Sequence, residues 1–446
     1  MQPRCFLLLQ GPHGPFMSEL SHELKRRGVR VLRVVFNSGD WWGGASFEAI
    51  SYRGDADQFG DWIEQLMEKE QVTDLLLYGD CRYYHRQAIE HCRKQSRYVW
   101  VLEEGYIRPF WVTLEAQGVN GNSQLPKQFE QWLNYQKITP AELKAAEEHK
   151  PVGRGMRGLV IWCHVYYIMR TLGALFYPRY RSHRPTSYLL ESFTWLKKLA
   201  KIALGRTRRA EAVADKLAQG NTPFFLVPLQ LDADAQVHCH SQYSNMEEFL
   251  QDIMRSFKKH AEPNTKLVIK SHPLDSEVRN YERYARVMAG QLGIGERVIF
   301  LHGGNLPALL KVAQGTVTVN STVGLQSIHH GCPTKAMGNA IYDRKGLTAQ
   351  CSLNDFWSWR SKPDQYRYRL FRYFLLTQCQ LNGNFYSGRG RRLLIPQLAT
   401  RLLSQRALSL VTGRPVSLEA VKESLEKHWV GIQSKPPKGN NDRIAL

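Results

Sequence analysis

Two successive series of short apolar runs, each run followed by an amphipathic stretch, limit what this chain can fold into more than any other feature. The first series is "CFLLLQ" (5–10), "VRVLRVVF" (29–36), "DLLLYG" (74–79) and "YVWVLEE" (98–104), with helical periodicity at 59–69 and 85–94. The second is "FFLVPLQ" (224–230), "KLVIKSH" (266–272), "RVIFLHG" (297–303), "GTVTVNS" (315–321) and "PTKAMG" (333–338). Runs of this length separated by helices are the pattern of βα units on a parallel sheet. The chain therefore reads as two Rossmann-like halves, and its 446 residues exceed what one core ordinarily holds. The expected division is 1–150 for the first half, 151–215 for a helical linker, 216–380 for the second half, and 381–446 for C-terminal helices and a tail. Ligands of such sheets sit at the carboxyl ends of the strands, so function is to be sought just after each run.

The linker concentrates the positive charge. Residues 151–210 hold about a dozen Lys and Arg against the acid Glu191, interleaved with "LVIWCHVYYIM" (159–169) and "TWLKKLAKIAL" (194–204). The first of these is shorter than the about 20 residues a bilayer span needs. It reads as a basic amphipathic helix lying on an anionic membrane, or as a linker whose aromatic side packs on the sheets. A net charge of +20 calls for an anionic partner. Nucleic acid is disfavoured, because the basic and aromatic residues gather in a linker and not in a groove-reading module. The 8 cysteines show no CxxC spacing, which argues against a zinc ribbon or disulfide framework and fits a reducing cytoplasm. No His/Asp/Glu cluster has metal-ligand spacing, so no metal site is expected. "CFLLLQ" lacks a small-residue cleavage site and reads as a first strand, not a secretory signal. The Lys-rich C-terminus reads as disordered.

Several strand ends carry chemistry. "EEGYIRP" (103–109) sets Glu103, Glu104 and Arg108 around a glycine, a candidate acid or base with a carboxylate clamp. "WVTLEAQGVNGNSQLP" (111–126) reads as a compact loop presenting Glu115 and backbone N–H groups to a polar ligand, or as a plain turn region. "LQGPHGPF" (9–16), with Gly11, His13 and Gly14, opens a helix but is neither Walker A nor GxGxxG; it leaves room for a sugar or lipid phosphate, not ATP or NAD. "IKSHPLD" (269–275) places Lys270, His272 and Pro273 at a strand end, where a cation and an imidazole suit a nucleotide phosphate. In "TVNSTVGLQS" (318–327), Asn320, Ser321 or Thr322 can cap a helix that contains Gly324. "LQLDADAQVH" (229–238) holds Gln230, Asp232 and Asp234. Asp234 alone is preferred there, as nucleophile or base.

Taken in order, "LQGPHGPF", "FNSGD", "YGDCRYYH", "EEGYIRP", "TLEAQGVNGNS", "PLQLDADAQV", "KSHP" and "NSTVGLQS" resemble the bacterial capsular polysaccharide proteins of the KpsS type, over residues 5 to 350 or so. The resemblance implies an α/β, GT-B-like architecture, two Rossmann-like domains facing a central cleft. It implies a β-Kdo transferase with CMP-Kdo as donor substrate, no other cofactor and no metal, and phosphatidylglycerol as acceptor. A non-catalytic scaffold for export of lipid-linked capsule is the rival. The resemblance also implies a cytoplasmic protein, peripheral on the inner membrane, beside a KpsC-type transferase and the capsule export machinery. Asp234 resembles the catalytic Asp of the retaining Kdo transferases, and Lys270, His272 and Pro273 resemble their CMP-binding Lys-x-His-Pro element. Asn320, Ser321, Thr322 and Gly324 stand in the place of a Ser/Thr motif that contacts the nucleotide, and Gln230 and Arg108 join the donor side. Glu103, Glu104 and Arg108 match a Glu-Asp-Gly-Phe-x-Arg pattern with Glu in place of Asp at 104, which leaves open which carboxylate is the acid/base. Gly11, His13, Gly14, Arg82, His85, Glu115 and Asn120 are the acceptor-side candidates.

Overall fold

Runs such as Cys5–Leu8 and Phe224–Pro228 are buried at every position, as strands of a sheet covered on both faces must be. The computed structural model describes residues 4–43, 49–133, 138–182, 188–231 and 234–412. The strands are β1 (Cys5–Leu8), β2 (Arg30–Val35), β3 (Ile50–Ser51), β4 (Asp74–Tyr78), β5 (Tyr98–Glu104), β6 (Trp111–Ala116), β7 (Phe224–Pro228), β8 (Lys266–Lys270), β9 (Val298–Leu301), β10 (Gly315–Thr318), β11 (Thr334–Ala336) and β12 (Gln380–Asn382). They form a 7-stranded sheet ordered β12-β6-β5-β4-β1-β2-β3 and a 5-stranded sheet ordered β11-β10-β7-β8-β9. The second sheet is parallel throughout. In the first, β6 and β12 run antiparallel to their neighbours. Two Rossmann-like units therefore follow one another, as the hydrophobic pattern predicts, in the GT-B arrangement that the resemblance implies.

Two features of the first sheet depart from the sequence reading. "WVTLEA", taken as the start of a loop, is the strand β6. The chain also returns to this sheet at its far end through β12. Leu381, Phe385, Leu394, Leu398 and Leu402 then share one core with Phe6, Phe16 and Leu20, so the start of the expected C-terminal segment is part of the first unit. A further core joins Tyr106, Ile107 and Phe129 to Leu325, Ile328, Tyr342 and Phe371, which packs the two units against each other.

The basic segment is anchored to both units. Helix Gly155–Leu172 buries Tyr166 and Tyr167, and the Tyr166 hydroxyl bonds Asn37 Nδ2 at 2.8 Å and Gln10 Nε2 at 3.0 Å in the first unit. From helix Tyr188–Ala203, the buried Lys198 donates to the carbonyls of Pro273 and Asp275, each at 2.7 Å, in the second. Among the described residues, no helix is long and apolar enough to cross a membrane. Asp232, Arg184 and the C-terminal tail lie outside the described residues.

Candidate functional site

In a doubly wound sheet the crevice opens where the strand order reverses. That point lies between β1 and β4 in the first sheet and between β7 and β10 in the second. A glutamine just past the first strand of each unit bridges it. Gln10 Oε1 accepts from Arg82 Nη1 at 2.9 Å. Gln230 Nε2 donates to Asn320 Oδ1 at 3.1 Å, and Gln230 Oε1 accepts from Asn320 N at 3.1 Å.

One cleft of about 800 Å³, open to solvent at its mouth, is lined from both units. The first supplies Glu103, Glu104, Tyr106, Arg108 and Asn120; the second supplies Gln230, Asp234, His272, Asn320, Ser321 and Thr322. All of these follow the carboxyl ends of β5, β6, β7, β8 or β10 or, for the two glutamates, end β5 itself.

The electrostatics separate the groups. Burial, aided by the neighbouring Glu104 and Asp234 charges, pushes the Glu103 carboxyl up to about 7, against the backbone N–H of Glu104, which donates to Glu103 Oε1 at 3.0 Å. A carboxyl poised there can take or give a proton near neutrality. Glu104 Oε1 instead accepts from the Tyr78 hydroxyl at 3.3 Å. Gln230 Nε2 lies 3.4 Å from Asp234 Oδ2. Burial, with Arg108, Lys198 and Lys270 nearby, depresses His272 to about 4. Its Nδ1 accepts from Leu274 N at 3.0 Å, so the neutral ring carries its proton on Nε2 as a donor. Ser321 Oγ accepts from Val323 N at 3.2 Å, whereas Thr322 makes no side-chain cap.

The fold reassigns several sequence candidates. Lys270 is buried at the end of β8, its ammonium pKa lowered by desolvation, and does not line the cleft. Pro273 contributes its carbonyl to Lys198. Gly324 is a packing position, since a Cβ there would sit 2.2 Å from Tyr342 Oη. Glu115 faces inward from β6, not toward a ligand. It accepts from the Tyr106 hydroxyl at 2.6 Å and from Ser123, and burial pushes its carboxyl up to about 8. The same Tyr106 hydroxyl accepts from Asn120 N at 2.8 Å, so Glu115 positions the cleft wall. His85 is buried, its Nδ1 2.7 Å from the Gly79 carbonyl, and burial drives its pKa down to about 3. Its Nδ1 holds that turn, and the ring does not line the shared cleft. Gly11, His13 and Gly14 line a separate small pocket against Tyr166, where the His13 and Tyr166 rings lie 4.1 Å apart. Arg82 spans from Gln10 to the face of Tyr78.

Tyr106, Leu325 and the stretch 339–342 line the cleft but were not singled out from sequence. Tyr106 sits inside "EEGYIRP", which carried the signal. Tyr342, whose hydroxyl donates to the Ser321 carbonyl at 2.6 Å, follows the short strand β11 and reads only as core. Asp80, Cys81 and His240 offer ligand atoms within 4.8 Å of one another, a proximity that spacing along the chain does not show.

Fold and site together define a two-domain α/β protein of the GT-B arrangement. Its one shared cleft presents carboxylates, a neutral imidazole and hydroxyl groups at strand ends. The chain belongs to the family described as capsule polysaccharide biosynthesis protein, whose pattern matches residues 73–386. It is 33% identical over 381 residues to the capsule polysaccharide export protein KpsS of Escherichia coli, covering 85% of this chain and 96% of that one. It is 32% identical over 386 residues to the capsule polysaccharide modification protein LipB of Neisseria meningitidis, covering 85% and 91%. Among solved structures, Thermosulfurimonas dismutans KpsC, beta Kdo 2,7 transferase, aligns with a TM-score of 0.44 and 14% identity over 90% of this chain and 100% of that one.

Proposed function

We propose that the chain is a retaining glycosyltransferase that moves Kdo from CMP-Kdo onto phosphatidylglycerol, the first β-Kdo of a capsule's lipid terminus. The observation that carries this reading is the meeting of Glu103, with its pKa near 7 and within electrostatic reach of Asp234, and a donor-side His272 in one cleft. Asp234 attacks the anomeric carbon; the bond from that carbon to the CMP phosphate breaks, and CMP leaves with the electron pair. Glu103 then takes the proton of the acceptor hydroxyl, whose oxygen attacks the same carbon and expels Asp234. Two inversions leave the configuration of the donor. His272 Nε2–H and the hydroxyls of Ser321 and Thr322 hold the phosphate, and Arg108 holds the Kdo carboxylate. A KpsC-type transferase and the capsule export machinery would take the product onward.

The test at the donor side is CMP binding by calorimetry. His272→Ala is expected to weaken it about 10–100-fold, the worth of a hydrogen bond to a charged group; unchanged affinity removes His272 from the phosphate site. Lys198→Met keeps the stem but releases the Pro273 and Asp275 carbonyls. It is expected to raise KM for CMP-Kdo about tenfold with kcat little changed. A fall in kcat with KM intact contradicts a positioning role.

The lipid acceptor accounts for an otherwise costly surface. Leu172, Leu175, Phe176, Phe193, Leu196, Leu199 and Leu204 are exposed, Leu175 at 90%, on a stretch that carries half of the linker's Arg and Lys. An exposed apolar patch bordered by cations suits an anionic membrane. Trp41, Trp42, Leu172, Phe176 and Tyr177 line an open hollow of about 870 Å³ with Arg53 stacked on Tyr177, which suits an acyl chain below an anionic headgroup. Leu175→Glu with Phe176→Glu is expected to reduce sedimentation with phosphatidylglycerol vesicles at least ~tenfold, from the lost burial of two side chains. Equal binding by this variant contradicts the membrane face.

A further inference from the structure

We propose that Asp80, Cys81 and His240 form a zinc site that ties the two α/β units together behind the cleft. Asp80 and Cys81 follow β4 of the first unit, and His240 closes the helix Ala235–His240 of the second. Cys81 Sγ stands 3.3 Å from His240 Nε2 and 3.3 Å from Asp80 Oδ1. Two ligands bound at about 2.3 and 2.0 Å to a tetrahedral zinc lie ~3.5 Å apart, so small adjustments admit the ion. A thiolate sulfur, an imidazole nitrogen and a carboxylate oxygen are the donor set this borderline-soft ion takes. These three side chains leave the fourth tetrahedral position to water. Binding releases the Cys81 thiol proton to solvent.

The surroundings of the ligands are already built. Asp80 Oδ2 accepts from Val119 N and Asn122 Nδ2, each at 3.0 Å, which turns its other oxygen toward Cys81. His240 is buried against Gly121, where a Cβ would lie 2.5 Å from its Nδ1. The His240 carbonyl accepts from Asn339 N at 2.7 Å and from Asn320 Nδ2 at 3.3 Å. Such outer contacts orient metal ligands. Here they also reach the cleft: Asn320 and Asn339 line it, as does Asn120, between Val119 and Asn122. The ion would fix cleft walls of both units at once, whatever the reaction in the cleft.

The test is titration of the chelator-stripped, full-length protein with Co²⁺, followed by the thiolate-to-cobalt charge-transfer band in the near ultraviolet. The expected result is about one cobalt per chain, displaced by Zn²⁺. Cys81→Ser and His240→Gln should each weaken binding by more than the ~10–100-fold that loss of an outer partner costs. The wild-type titration decides even if a variant misfolds, and circular dichroism identifies such a variant. Absence of the band in the wild type overturns the proposal. So does a band that survives both of those substitutions in folded protein and disappears only in Cys239→Ser, which would mark an adventitious exposed thiol.

Discussion

Replacement of Asp234 by Ala is expected to abolish Kdo transfer, lowering kcat on the order of 10⁴-fold or more, as loss of a covalent nucleophile does elsewhere. Without the carboxylate no adduct forms, and the two-inversion route loses its first step. CMP binding should persist, because the phosphate contacts assigned to His272, Ser321 and Thr322 are untouched. Gln230, bonded to Asn320 as well as lying near Asp234, keeps the local frame. The measurement is single-turnover transfer beside CMP calorimetry. Retained transfer with retained configuration removes Asp234 from the nucleophile role, and retained capsule export without any transfer favours the scaffold reading.

Glu103→Gln carries the second large effect. Loss of a general base is expected to cost about 10²–10⁴-fold in kcat. The wild-type rate should rise with pH through about 7, where Glu103 loses its proton, and the variant should lose that rising limb. If the limb survives in Glu103→Gln but vanishes in Glu104→Gln, the base is Glu104. Stability gives an independent check. The carboxyl ordinarily titrates near 4.5 and is raised by burial to about 7, so the folded chain holds the proton more tightly than the unfolded one. Wild-type stability therefore falls as pH rises from about 4.5 to about 7, by at most about 3.5 kcal/mol at about 1.4 kcal/mol per unit. The uncharged glutamine escapes that loss, so the variant should be the more stable protein above pH 7 and near parity at pH 4. Chemical denaturation at both pH values reads this directly.

What the sequence reveals and what it hides have physical reasons. Strands such as β1, β4, β7 and β8 are legible because parallel strands buried on both faces must be apolar along their length. β6 is not, because "WVTLEA" carries Thr113 and Glu115 into the interior and is followed by a Gly/Asn stretch that mimics a loop. β12 has three residues and no pattern of its own; only its pairing with β6 makes it a strand. The site follows the same division. Glu103, Arg108, Asp234, His272 and Ser321 lie where the rule for parallel sheets puts ligand contacts, at or just past strand ends. His85 lies near such an end and Glu115 within the antiparallel β6, yet both side chains turn inward. Nothing in residue type distinguishes a buried, hydrogen-bonded carboxyl from a catalytic one. Tyr106 and Tyr342 are hidden for the opposite reason, since a buried aromatic reads as core unless geometry says otherwise. Asp80 and Cys81 meet His240 only because the two units pack together, a relation that no spacing rule contains.

Everything proposed for this cleft depends on transfer of Kdo to a lipid. Its most direct test is incubation of the wild-type protein with CMP-Kdo, generated in situ, and a fluorescent phosphatidylglycerol, with the lipid product analysed by mass spectrometry and its anomeric configuration by NMR. The expected product is a lipid heavier by one Kdo residue, β-linked, with CMP released in equal amount. An unmodified lipid, under conditions where the same preparation binds CMP and the vesicles, would contradict it.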